Sequence, residues 1–169
     1  EQAVLELADA ANAVERYAQG WFKIDQLYRK VMFHARKASQ SAVLGNLVDK
    51  VESLYSNKFL LPLGDRFQAV LGAMPRWEVY PVPRQNEFFT RFVEPFLKRD
   101  NKVCVIVSDA MRYEIGEELH RQIRQEDKFG ASIQPMLTML PSYTQLGMAA
   151  LLPHKQLAIA ENETGTALV

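Results

Sequence analysis

The chain has 169 residues, 48% hydrophobic and 24% charged, a balance that suits a folded globular protein and excludes a largely disordered one. Twenty Lys and Arg offset twenty Asp and Glu, so the net charge gives no support for a broad footprint on nucleic-acid phosphates. The single cysteine excludes an internal disulfide and a Cys-based zinc finger and fits a reducing, cytoplasmic setting; no apolar run approaches the roughly 20 residues that cross a bilayer.

The opening EQAVLELADA is acidic and helical in pattern, unlike a secretory leader, and the chain stops at ENETGTALV with no element to close it. It therefore reads as a piece of a longer protein. Two parts are predicted, residues 1–80 and 81–169. In the first part, Val4, Leu7, Ala11, Val14, Ala18 and Trp21 form one helical stripe, interrupted at Gly20. A second stripe runs through Ile24, Leu27, Tyr28, Val31, Met32 and Ala35. A third helix is expected over Ser41–Ser56, with Leu47, Val51 and Leu54 inward; a loop over Asn57–Gly64 follows, then a short helix over Arg66–Ala73. Met74–Pro83 holds Pro75, Pro81 and Pro83 and reads as an extended connector, with Trp77 and Tyr80 as packing glue between the two parts.

From residue 85 the pattern changes. An amphipathic helix is expected over Gln85–Lys98, with Phe88, Phe89, Phe92, Val93 and Phe96 inward. The run KVCVIVSD has five consecutive apolar residues and reads as a strand buried on both faces, with Cys104 as inert core. Helix Ile115–Gln125, strand Ala131–Met139, helix Ser142–Leu152 and strand Leu157–Ala160 complete a strand–helix alternation. The predicted fold class is α/β, a parallel sheet with right-handed crossovers preceded by a helical region.

In such a sheet, ligands bind beyond the carboxyl ends of the strands, where Asp109 and the hydroxyls of Thr138, Ser142 and Thr144 fall. A carboxylate directly after an apolar strand needs a partner. Asp109 is either a hard oxygen ligand for Zn²⁺, Mg²⁺ or Mn²⁺ or the cap of the next helix. Thr144 stands near a helix start that favours anions, where it serves as a metal-activated nucleophile or, like Ser142, simply as a cap. Arg112 pairs with Asp109 or with a bound phosphate. His34 reads as a surface or core-edge histidine, His120 as part of a solvated charged face, and His154 as a lone histidine near the crevice. No Gly-rich phosphate loop, HExxH or CxxC pair is present, which argues against P-loop hydrolysis and common zinc proteases.

VCVIVSDAMRYEIGEEL followed by TMLPSYTQLGMAALLPH resembles the PglZ domain, a branch of the alkaline phosphatase superfamily found in bacterial phage-defence systems of the BREX type. The resemblance covers about Lys102–His154. It implies a metal-dependent phosphatase or phosphodiesterase with two divalent ions, usually zinc. By that resemblance Asp109 is a metal ligand and Thr144 is the nucleophile and a second ligand. Ser142 and Thr138 are the alternatives for that position, and Ser142 and Arg112 are candidates for binding substrate. The superfamily's other Asp and His ligands lie later in its chains, so this chain is expected to hold about half a site and to have little activity alone. A nucleotide or nucleic-acid phosphodiester is the implied substrate class, and a DNA methyltransferase of the same system an implied partner. The rival reading is a non-enzymatic scaffold in a defence complex.

Overall fold

A computed structural model describes residues 5–38, 42–161 and 167–168. Two compact units make up the chain: Glu1–Trp77 with Arg112–Gln134, and Glu78–Met111 with Pro135–Val169.

The first unit is helical. Asp9 caps helix α1 (Ala10–Arg16) by accepting the Asn12 N–H at 2.7 Å. The helix runs on through a π-helical turn, Tyr17–Trp21, into α2 (Phe22–Lys37), so Gly20 does not break it. A π turn takes an extra residue and rotates the face that follows. Ala10 and Ala13 are buried before the turn; after it Phe22 and Gln26 are buried while Leu27, expected inward, is exposed. The same device joins α3 (Ala42–Tyr55) to α4 (Leu61–Gly72) through a second π turn, Ser56–Leu60. The predicted loop over 57–64 is therefore helix. Pro62 is tolerated because it sits in the first turn of α4, where its missing N–H falls on the shifted hydrogen bonding of the wide turn. Leu47 and Leu54, also expected inward, are exposed, while Phe59 is buried.

Polar groups knit this unit together. Asp25 accepts hydrogen bonds from the Tyr17 hydroxyl and, at 2.8 Å, from the Tyr55 hydroxyl. Burial first, and then these bonds, push both phenols well above the ordinary tyrosine value. Tyr55 also stacks on Tyr28, with ring centroids 3.8 Å apart. Helix α6 (Tyr113–Gln125) joins the unit through Tyr113, whose ring meets Phe22 at 5.7 Å and Tyr17 at 6.1 Å, both edge-on.

The second unit is built on mixed helical winding. A 3₁₀ turn (Gln85–Glu87), a π turn (Phe89–Val93) and α5 (Glu94–Leu97) replace the uniform helix predicted there. Val93 points inward, but Phe96 does not. Val79, Val93, Leu137, Leu146 and Ala150 form the core of this unit. Tyr80 is 93% exposed, so it is not packing glue.

The parallel sheet is where the expectation and the structure part. Residues 101–112 are all exposed, and Lys102–Ser108 takes part in no ladder among the described residues. Ile106 is 88% exposed and Cys104 is exposed rather than core. An apolar run becomes a buried strand only when neighbouring strands satisfy its backbone and helices cover its faces; no described residue does either. The second predicted strand is reduced to one parallel bridge, Arg84 with Leu137. The third becomes β1 (Ala160–Glu161), paired antiparallel, not parallel, with β2 (Ala167–Leu168).

Candidate functional site

Asp109, Thr138, Ser142 and Thr144 lie in the second unit; Arg112 lies in the first. Asp109 is exposed, and its Oδ1 accepts the N–H of Ala110 at 2.9 Å. Ala110 is held at φ 52, the left-handed region that costs a residue with a Cβ on the order of 1 kcal/mol. Asp109 does not cap the next helix: α6 is preceded by Arg112 in an extended conformation with no side-chain cap. Its Oδ2 makes no hydrogen bond among the described residues.

Helix α7 (Thr144–Leu151) begins at Thr144, two residues after the predicted start at Ser142. Tyr143 is its N-cap residue, with extended backbone, and no side chain caps the helix. The capping roles left open for Ser142 and Thr144 are thus not taken up. Both hydroxyls are exposed, beside backbone N–H groups that the helix itself does not use. Leu146 and Ala150 bury the opposite face of α7. Among the described residues no hydrogen bond or ion pair joins Asp109 to Ser142 or Thr144, and no group of three His, Cys, Asp or Glu side chains is arranged to hold a metal.

Arg112 has a carboxylate partner within its own unit. Its Nη2 donates to Glu114 Oε1 at 2.8 Å. Glu114 is fully buried at 0% exposure, and the Arg29 guanidinium grips it through Nε at 3.1 Å and Nη2 at 3.0 Å. Gln26 adds a 3.4 Å hydrogen bond to the Glu114 carbonyl, and Glu118 binds both Arg29 and, at 2.8 Å, Lys30. The first half of α6 thus packs inward through Glu114 and Glu118, while Arg121, Gln122, Arg124 and Gln125 further along are exposed, the solvated face that was expected. At His120, Nδ1 meets Glu117 at 3.2 Å and Nε2 meets the Ala131 carbonyl at 3.2 Å. His34 is exposed, edge-on to Phe33 at 5.4 Å, and His154 Nδ1 lies 2.7 Å from the Leu152 carbonyl oxygen.

Sequence reasoning missed Glu114 and Arg29, which lie 85 positions apart. Nothing local in EIGEELH distinguishes the buried glutamate from its neighbours. It also missed Gln85, a polar residue on an apparently amphipathic helix.

Residues 88–169 match the family described as BREX system PglZ alkaline phosphatase-like domain. The chain carries part of a PglZ domain. Asp109, Ser142 and Thr144 all fall within the matched PglZ segment. The chain is 43% identical, over 159 residues, to "Alkaline phosphatase-like protein BrxZ" of Escherichia coli O9:H4 (strain HS), a stretch covering 88% of the chain and 18% of that protein. It is 35% identical, over 148 residues, to "Alkaline phosphatase-like protein PglZ" of Bacillus cereus (strain H3081.97), covering 86% of the chain and 17% of that protein. The chain thus spans less than a fifth of the length of these curated relatives, and the similarity reaches into the helical region as well as the PglZ segment. No solved structure matches the chain. No helix among the described residues is long and apolar enough to cross a membrane.

Proposed function

We propose that this chain works within a protein as long as its relatives, as the first part (residues 81–169) of a PglZ domain that hydrolyses a phosphodiester in a phage-defence system, with Thr144 as nucleophile. One observation carries the reading. Inside the matched PglZ segment, a threonine opens a helix whose N-terminus no side chain caps. Free N–H groups and the helix dipole favour a phosphate oxygen there, beside the Thr144 hydroxyl. Asp109, with one carboxylate oxygen tied to Ala110 and the other open, is the metal ligand of this proposal.

The residues present do not make a complete metal site. A zinc ion takes about four donors, and Asp109 and Thr144 provide two at most. The remaining ligands for two divalent ions, zinc in this reading, have to come from the rest of the full-length protein, and no step through a metal is derived for this chain. Ser142 would add a hydroxyl near the helix start. Arg112 would contribute to substrate only with the N–H groups that Glu114 does not occupy. The same full-length protein would supply the strands that pair with Lys102–Ser108 and close the parallel sheet. Its setting would be the cytoplasm. Its substrate would be a nucleotide or nucleic-acid phosphodiester, and its partners other proteins of the defence system, such as a DNA methyltransferase.

The test is hydrolysis of an aryl phosphodiester by the full-length protein with added zinc. Thr144→Ala is expected to lower the rate by about a thousandfold or more, as loss of a nucleophile does. A full rate in that variant would reject the assignment. The 169-residue chain alone is expected to titrate with at most one weakly bound zinc.

A second reading, a scaffold that binds partner proteins, draws on the exposed leucines Leu47, Leu54, Leu60 and Leu61 on the α3–α4 helix. Partner capture and phage resistance retained in an Asp109→Ala, Thr144→Ala double variant would favour it.

A further inference from the structure

We infer that Gln85 is a positioning residue for the start of helix α7; this rests on the reading of Thr144 as nucleophile. Gln85 is the point where three elements of the second unit meet. Its backbone N–H donates to the Leu137 carbonyl at 2.8 Å, and the Leu137 N–H donates to the Pro83 carbonyl at 2.9 Å, which forms the parallel bridge. Its side chain reaches past the bridge, and Oε1 accepts the Met139 N–H at 3.0 Å. The other face of the same amide lies against α7: a Cβ built at Gly147 would stand 3.2 Å from Gln85 Nε2 and 3.6 Å from Oε1. One residue therefore holds Leu137 through its backbone and Met139 through its side chain, on the stretch that leads into α7, while its amide packs against α7 at Gly147.

The arrangement accounts for two residue choices. Leu137 is buried, so the bridge is anchored in the core and cannot slide without exposing it. Gly147 leaves room for the amide; a Cβ there would oblige the Gln85 amide to give by a few tenths of an ångström. Between the two clamped points lie only residues 140–146, with Thr144 among them. A nucleophile must be held within a fraction of an ångström of its productive position, and residues 140–142 just before the helix are exposed.

The test uses the full-length protein and three variants. Gln85→Leu keeps the size and removes the acceptor, Gln85→Glu keeps an acceptor oxygen for Met139, and Gly147→Ala crowds the amide while retaining it. Amide hydrogen exchange reads the clamp directly, and hydrolysis of the aryl phosphodiester reads its consequence. In Gln85→Leu the Met139 amide is expected to lose about tenfold in protection, with faster exchange at Thr144–Leu146, while unit-one helices keep theirs. Gln85→Glu is expected to restore protection to within about threefold. kcat is expected to fall about tenfold in Gln85→Leu with KM within about twofold, the mark of a misplaced reacting group rather than lost binding. If Gln85→Leu unfolds the protein, Gly147→Ala carries the same expectation in milder form. Unchanged protection at Met139 in both Gln85→Leu and Gly147→Ala overturns the inference whatever the activity. Lost protection with an unchanged kcat overturns the positioning role. Lost protection in Gln85→Leu together with a full rate in Thr144→Ala rejects the nucleophile and leaves Gln85 as the clamp of α7.

Discussion

Glu114 is the one large side chain with no exposure among the described residues, and it is a carboxylate. A buried charge persists only when paired and hydrogen-bonded, and Arg29 and Arg112 provide both. The two partners are not equivalent on removal. Arg29→Ala leaves Glu114 buried with Arg112 alone and is expected to cost about 3–5 kcal/mol. Glu114→Gln leaves Arg29 a third exposed and still bound to Glu118, and is expected to cost less, about 1–3 kcal/mol. Urea denaturation of both variants checks the order. Arg29→Lys is expected to fall near Arg29→Ala, because an ammonium cannot reproduce the two-point grip. Glu118 adds a pH dependence. Lys30 first, and then Arg29, hold its carboxyl below the ordinary glutamate value. Its stabilising contribution is therefore present above the unfolded value, about 4.3, and is lost as pH falls through the lower folded value. Glu118→Gln is expected to flatten the acid limb of the stability profile below about pH 4.5 and to change little of its slope at neutral pH.

At the scale of elements, glycine gives a contrast. Nothing lies within 4 Å of a Cβ added at Gly64 in α4, whereas Gly147 in α7 is crowded by Gln85. Gly64→Ala is expected to stabilise by about 0.5–1 kcal/mol through helix propensity, and Gly147→Ala to gain nothing or to destabilise. Thermal or urea unfolding distinguishes them. Helix existence was largely legible in sequence: α2, α6 and α7 stand close to where apolar spacing put them, with Thr144 near the predicted start of α7, whereas α4 begins inside the predicted loop. The facing of these helices was not legible, because each π turn changes the phase of the stripe and no residue type announces it. Pro62 and Gly64 read as loop because both are poor helix formers, yet the wide turn before them removed the conflict. The strand over 102–108 was written in β-branched residues, but a strand is a pairing, and its partners are not properties of its own sequence. The candidate site followed the same division. Asp109 and Thr144 were visible as polar residues at element ends, whereas Gln85 and Glu114 act through contacts 54 and 85 positions away.

At the scale of the whole molecule, Val103, Val105, Ile106 and Val107 form an exposed apolar run with no ladder partner among the described residues. Such runs pair with one another between molecules. The isolated chain is expected to self-associate with rising concentration, and Ile106→Lys to suppress this by light scattering; the same change in the full-length protein is expected to disturb folding if this segment enters its sheet. The discontinuity of the helical unit has a further effect. Residues 1–77 are separated from 112–134, and the carboxylate that Arg29 grips arrives only with the later stretch. A ribosome therefore delivers the first helices long before the counter-ion that completes their interior. Until residue 134 has cleared the exit tunnel, the nascent helices carry an unmatched guanidinium and an uncovered aromatic face, the condition in which a trigger chaperone finds its clients.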